Sequence, residues 1–252
     1  MITTHGLSKK YQDVLVVDGV SVEIYKGGLT AIIGPNGAGK STLLSMISRL
    51  TPMSAGSVII DGLDVTRTPS SELAKRLSIL RQHNESTLRL SVRDLVAFGR
   101  FPHTSGRLTA EDQEHINDAI HYLGLEEYQH RHLDELSGGQ RQRAYVAMVM
   151  CQDTDYVLLD EPLNNIDMQH AVGMMQLLRR AADDKGKTVV VVLHDINFAS
   201  CYADHIISMR RGQLAYQGTP EEIICSDVLT ELYAIPMQVH EINGQRICIY
   251  FR

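Results

Sequence analysis

The chain has 252 residues, 44% of them hydrophobic and 21% charged, which is enough to bury a sizeable core as one large domain or as a domain with an inserted lobe; disorder is not its default. A formal net charge of -6 is the reverse of the basic face on which sequence-independent nucleic-acid binders rely, so no nucleic-acid partner is expected. The four cysteines, Cys151, Cys201, Cys225 and Cys248, include no C-x-x-C pair, as suits a reduced, cytosolic chain.

The opening stretch MITTHGLSKKYQD has no basic region followed by an apolar one, and no apolar run approaches the roughly 18 residues of a membrane span, so the chain is expected to be neither exported nor integral to a membrane. From Val14 to Gly28, Val20, Val22 and Ile24 alternate with polar positions, which predicts antiparallel strands with one wet face. The pattern then changes to a continuous apolar run, Leu29 to Gly34, as in a buried parallel strand, followed by helical spacing in KSTLLSMISRL. GSVIIDG (Gly56 to Gly62) and LSILRQ (Leu77 to Gln82) read as further strands.

A helical region follows. Ser91 with Asp94 and Thr109 with Asp112 are capping-box pairs, and Ile116, Ala119, Ile120 and Leu123 line one helix face before Gly124. Two apolar runs, YVLLDEP (Tyr156 to Pro162) and TVVVVLHD (Thr188 to Asp195), then flank an amphipathic helix over Met168 to Ala182, the rhythm of a parallel sheet covered by helices. In the tail, HIISMRRGQLAYQG reads as a hairpin, Thr219-Pro220 as a helix start, and VHEINGQRICIYF as two strands turning at Asn243-Gly244.

GPNGAGKST, comprising Gly34, Pro35, Asn36, Gly37, Ala38, Gly39, Lys40, Ser41 and Thr42, fits G-x-x-x-x-G-K-[ST] between a predicted strand and a predicted helix. Glycines let backbone N–H groups wrap phosphates at a helix N-terminus, Lys40 reaches the β- and γ-phosphates, and the Ser41 hydroxyl can ligate Mg²⁺. Asp160 ends a buried strand, where it can hold Mg²⁺ through its water shell, and the adjacent Glu161 becomes the favoured general base for an attacking water. His194 follows the next strand, at the sheet edge where ligands of open α/β sheets gather, although a lone histidine there is more often an ordinary capping or core group. Gln82, at the entry to the helical region, can reach the metal or the attacking water, or be plain surface. LSGGQRQR (Leu136 to Arg143) is a polar helix start with no chemistry of its own. The histidines of HRH (His130 to His132) lie in a polar connector without the ligand count of a closed metal site.

In their order and approximate spacing, GPNGAGKST, Gln82, LSGGQ, VLLDEP, Asp167 and His194 resemble the ATP-binding subunits of ABC transporters along essentially the whole chain. The resemblance implies an α/β P-loop NTPase of ABC type, with a mostly parallel sheet core, an antiparallel β subdomain and an inserted α-helical subdomain. Residues 1–82 and 153–252 would form the catalytic core, β subdomain and tail of a single domain, and 83–152 the helical signature subdomain. It implies a homodimer that sandwiches ATP and Mg²⁺, in which Ser137, Gly138, Gly139 and Gln140 of one subunit face the phosphate loop of the other. It gives Tyr11 as the adenine-stacking aromatic and Asp167 as part of the interface loop, in which Ile166 and Asn164-Asn165 depart mildly from the commoner residues.

With no span of its own, such a subunit would sit on the cytoplasmic face of a bacterial membrane beneath separate permease subunits, served by a periplasmic or lipid-anchored binding protein. GRFPH (Gly99 to His103), DEPLNNIDMQH and the ending HEINGQRICIYF resemble the importer group for ferric siderophores and vitamin B12, and within it the ferric-siderophore members, with a catecholate-type chelate as the expected cargo. Haem or cobalamin import is the alternative, and a soluble, non-transport ABC ATPase a more distant one.

Overall fold

The computed structural model describes residues 1–82, 89–104, 106–164 and 166–251. Its first strand, β1 (Ile2–Tyr11), was not legible in the sequence: its alternation is broken at Gly6, which has a φ of +55°, and its register shifts between Leu7 and Lys9. β1 pairs antiparallel with β2 (Val14–Val20) and with the two-residue β3 (Glu23–Ile24). β2 shows the expected wet face, with Val17 and Val20 buried and Val14 and Leu15 exposed. β4 (Gly28–Ile33) is buried along its whole apolar run and leads through the glycine-rich loop into α1 (Lys40–Ile47). β5 (Ala55–Ile60) pairs antiparallel with β1 on one side and with β6 (Leu63–Asp64) on the other.

The chain then enters a compact unit of its own, Pro69–Lys187, while Met1–Thr68 and Thr188–Arg252 together make the other. The Pro69–Lys187 unit begins with a short helix, α2 (Ser70–Leu73), and β7 (Leu77–Leu80), and continues with α3 (Val92–Phe98), α4 (Phe101–Thr104) and α5 (Ala110–Tyr122). It ends with α6 (Gly138–Cys151), β8 (Tyr156–Asp160) and α7 (Met168–Lys185). Both expected capping boxes are formed, by Ser91 with Asp94 and by Thr109 with Asp112. Asp112 also takes a 2.8 Å bond from Arg100 Nε, both side chains being buried, and Arg100 reaches on to the carbonyl of Cys151. Hydrogen bonds from Thr109 and then from Arg100 hold the Asp112 carboxyl far below the usual carboxylate range.

This compact unit is wider than the expected helical subdomain and spans it, because β7 and β8 are a parallel pair and the Gln152 amide at the end of α6 donates to the carbonyls of Ala74 and Leu77. His83, where the helical subdomain was expected to begin, lies outside the described residues. Helix α7 outruns the expected Met168–Ala182 by three residues and stops at Gly186, whose φ of +61° is a left-handed terminator. His132, expected in a solvated connector, is half-buried and bridges to Ser91.

In the returning part of the first unit, β9 (Thr188–Val192) is buried throughout and is followed by α8 (Ile196–Tyr202), β10 (His205–Arg210) and β11 (Gln213–Gly218). β4 lies between β9 and β10, parallel to both, and β11 is antiparallel to β10. Strands covered on both faces need continuous β-branched runs, which is why TVVVV and TAII read as they do. α9 (Pro220–Ile223), α10 (Ser226–Tyr233) and a hairpin of β12 (Gln238–Ile242) and β13 (Gln245–Ile249), turning at Asn243-Gly244, complete the chain. Among the described residues no helix is long and apolar enough to cross a membrane.

Candidate functional site

The loop between β4 and α1 is shaped by its glycines. Gly34, Gly37 and Gly39 have φ of +142°, +75° and +96°, a region closed to most side chains, and helix α1 starts at Gly39 without a side-chain cap. Two of them are also sites of close approach: a Cβ on Gly34 would lie 2.1 Å from the Met209 carbonyl oxygen, and one on Gly39 2.8 Å from that of Val16. Gly212, in the β10–β11 turn, passes equally close to Val16 and donates its N–H to Ala38 O at 3.1 Å. Lys40 is buried, and its ammonium donates to the carbonyls of Gly34 (2.8 Å) and Pro35 (3.0 Å). The result is a loop of left-handed glycines held against neighbouring backbone at a helix N-terminus, with the buried Lys40 ammonium on its carbonyls, a pattern suited to phosphate oxygens.

Tyr11 and His194 belong to the same compact unit. Tyr11 ends β1 as an exposed residue, with the Lys9 ammonium 4.8 Å from its ring centroid. His194 is exposed just beyond β9, where Leu193 N still bonds Ile32 O, and Asp195 caps α8 by accepting from the N–H groups of Asn197 and Phe198.

The Pro69–Lys187 unit holds the acidic pair. Asp160 is the buried last residue of β8. Glu161 follows at a φ of +52°, a left-handed conformation that costs a non-glycine residue about 1 kcal/mol or more and concentrates at functional sites. Its Oε2 accepts from the amide groups of both Gln82 and Asn164, so Gln82 and Glu161, 79 residues apart, meet directly. Asn164 carried no functional signal beyond its place three residues after Glu161, and its neighbour Asn165 lies outside the described residues.

The LSGGQRQR stretch, the family's signature by the resemblance drawn above, lies in that unit too. Ser137 caps α6: its Oγ accepts from Gln140 N at 3.3 Å while Gln140 Oε1 accepts from Ser137 N at 3.0 Å. This leaves Gly138 and Gly139 in the first helical turn, where no intrahelical carbonyl reaches their N–H groups. Arg141 is exposed, whereas Arg143 is half-buried, with its Nε out of solvent. Asp167 caps α7 and accepts from His170 N, which with the His170 ring holds its carboxyl below the usual range.

Each unit offers a hard oxygen donor of the kind Mg²⁺ prefers, the Ser41 hydroxyl in one and the buried Asp160 carboxylate in the other. No cluster of three or more His, Cys, Asp or Glu suited to a fully protein-held metal occurs among the described residues. Burial pushes the thiols of Cys151, Cys201 and Cys248 up, that of Cys151 to about 12.

Residues 17–164 match the profile of the ABC transporter family. The chain is 51% identical over 251 residues to a petrobactin import ATP-binding protein of Bacillus subtilis (strain 168), covering 100% of both. A petrobactin import ATP-binding protein of Bacillus anthracis is 52% identical over 239 residues, 95% of this chain and 96% of the relative. Among solved structures, a dimeric ATP-binding cassette in a post-hydrolysis state with ADP and Pi superposes with a TM-score of 0.78 at 27% identity, over 87% of this chain and 99% of that one. With a profile match over more than half its length and end-to-end identity of this order, the chain belongs to the ABC transporter family.

Proposed function

We propose that this protein is the ATP-hydrolysing subunit of a bacterial importer for a ferric siderophore, working as a homodimer beneath membrane permease subunits and supplied by an extracytoplasmic binding protein. The observation that carries the reading is the 51% end-to-end identity to a petrobactin import ATP-binding protein, with the phosphate loop, acidic pair and signature stretch all in place. Its place is the cytoplasmic face of the plasma membrane.

In this reading Tyr11 stacks on adenine and the loop Gly34 to Thr42 wraps the phosphates, with Lys40 exchanging its loop carbonyls for β- and γ-phosphate oxygens. Ser41 and Asp160, with Gln82 nearby in the metal's water shell, would hold Mg²⁺, which neutralises charge on the phosphates. Glu161 takes a proton from water as the water oxygen attacks the γ-phosphorus; the bond to the bridging oxygen breaks, releasing ADP and phosphate. His194 donates to the γ-phosphate. Ser137, Gly138, Gly139 and Gln140 contact the nucleotide of the partner, and Asp167 lies in the loop between the two copies. Residues 83–152 form the subdomain that receives the permease.

The test is reconstitution. ATP turnover by the complex in vesicles is expected to rise when a siderophore-loaded binding protein is added, ferric petrobactin being the first cargo to try. Stimulation by haem- or cobalamin-loaded binding protein instead would move the assignment to the alternative cargoes, and failure to co-purify with any polytopic membrane protein would remove the transport role.

A further inference from the structure

His170 has no part in the reading above, yet it stands between two of the elements that reading uses. On one side, its backbone N–H donates to Asp167 at 2.9 Å, and its ring Nδ1 lies 2.8 Å from each carboxylate oxygen of Asp167. On the other side, the ring is pressed on the start of α6: a Cβ on Gly139 would lie 2.8 Å from both Cγ and Cδ2 of His170. Gly139 is buried although its neighbour Gly138 is exposed. Beyond the ring lies an open cavity of about 540 Å³, lined also by Arg143, Gly173, Leu177 and Arg180.

We propose that His170 is a positioning residue: a ring whose orientation is set by Asp167 and whose edge fixes the first turn of α6, so that the Asp167 loop and the Gly138-Gly139 N–H groups move together. The carboxylate selects the Nδ1–H tautomer and allows the ring little rotation. The contact with Gly139 has no room even for a methyl group, so a shift of the ring is transmitted to α6 rather than absorbed. Those N–H groups have no helical partner, so their aim is what the helix start offers to a phosphate. The role explains why glycine stands at position 139 independently of any nucleotide contact. The inference rests on the proposed use of α6 in hydrolysis, which Ser137→Arg tests separately: persistent turnover in that variant removes the reading itself, whereas its loss leaves the role of His170 to be decided on its own.

Steady-state ATP turnover by the full-length chain decides it. His170→Ala is expected to lower kcat by about ten- to a hundredfold, the scale of a misplacement near 1 Å, with KM for ATP within about twofold of the parent. Because the cavity opens onto the vacated position, added imidazole should restore part of the lost kcat, and His170→Asn, which keeps a donor toward Asp167, should lose less than His170→Ala. By thermal unfolding, Gly139→Ala should be destabilising in the parent and close to neutral in the His170→Ala background, since the collision is gone. An unchanged kcat in His170→Ala overturns the proposal. So does a fall in kcat matched by lost melting temperature with no response to imidazole, or equal destabilisation by Gly139→Ala in both backgrounds. Should His170→Ala fail to fold, kcat of His170→Asn and the Gly139→Ala comparison in its background decide the proposal in the same way.

Discussion

Glu161 combines a buried carboxylate, two amide donors and a left-handed backbone. Such a residue persists only where its surroundings over-determine it, and the rigid Pro162 on one side and the end of β8 on the other supply that constraint. Glu161→Gln keeps the shape and hydrogen-bonding reach but not the base, so ATP binding should survive while kcat falls at least about a hundredfold; normal turnover in single-cycle assays would remove Glu161 from the base role. Gly34 makes a different demand. Any Cβ there meets the Met209 carbonyl, so Gly34→Ala should cost about 2 kcal/mol or more and weaken ATP binding together with stability, read by thermal unfolding with and without nucleotide.

The element GRFPH shows how a family mark resolves into a structural task. Its Arg100 reaches Asp112 at the start of α5 and the end of α6 at the same time, and His103 Nε2 lies 2.9 Å from Gln152 O, so this segment ties two helices of one unit. Asp112 has a folded pKa below that of the unfolded chain, about 3.9. The unfolded state therefore binds more protons between the two values, and the stabilisation, complete above about pH 4, is lost as pH falls through the folded pKa. Asp112→Asn should lower the melting temperature by about 3–6 °C at pH 7 and flatten its decline below pH 4. A second tie is in the tail: the Asn197 amide donates to Cys248 O and accepts from Cys248 N, and Ser200 Oγ donates to Arg246 O, so β13 clamps α8, the helix after His194. Asn197→Ala should destabilise by about 1–3 kcal/mol and loosen the tail hairpin first, seen as faster amide exchange over β12 and β13. Most elements were legible because burial on one or both faces imposes a period on the sequence. β1 was not, since a bulge breaks its alternation, and α7 runs past its expected end because Lys185 and Gly186, rather than an apolar residue, close the helix.

At the scale of the whole molecule, the phosphate loop, acidic pair and signature stretch were readable because each is a contiguous motif with its chemistry written in residue order. The contacts that join separate motifs were not: Gln82 to Glu161 and His170 to Gly139 link distant positions, and no local pattern encodes such a meeting. The proposed two-copy arrangement makes its own prediction. Ser137→Arg places a bulky cation at an exposed helix start, so it should leave ATP binding by the single chain unchanged, abolish ATP-dependent dimerisation in light scattering, and reduce turnover to background.

The close passage of Gly34, Gly39 and Gly212 against the backbones of Met209 and Val16 has a thermodynamic consequence. Most of the conformational entropy of the phosphate loop is lost when the chain folds, because bare backbone on β2 and β10 leaves it no alternative path. Little ordering then remains for the moment a nucleotide arrives, and affinity reflects the contacts made rather than a disorder-to-order cost. The β10–β11 turn, so far along the chain from the loop, thus helps to fix the loop's path, and a side chain at Gly212 is expected to be felt as a weaker association with ATP, read by nucleotide titration.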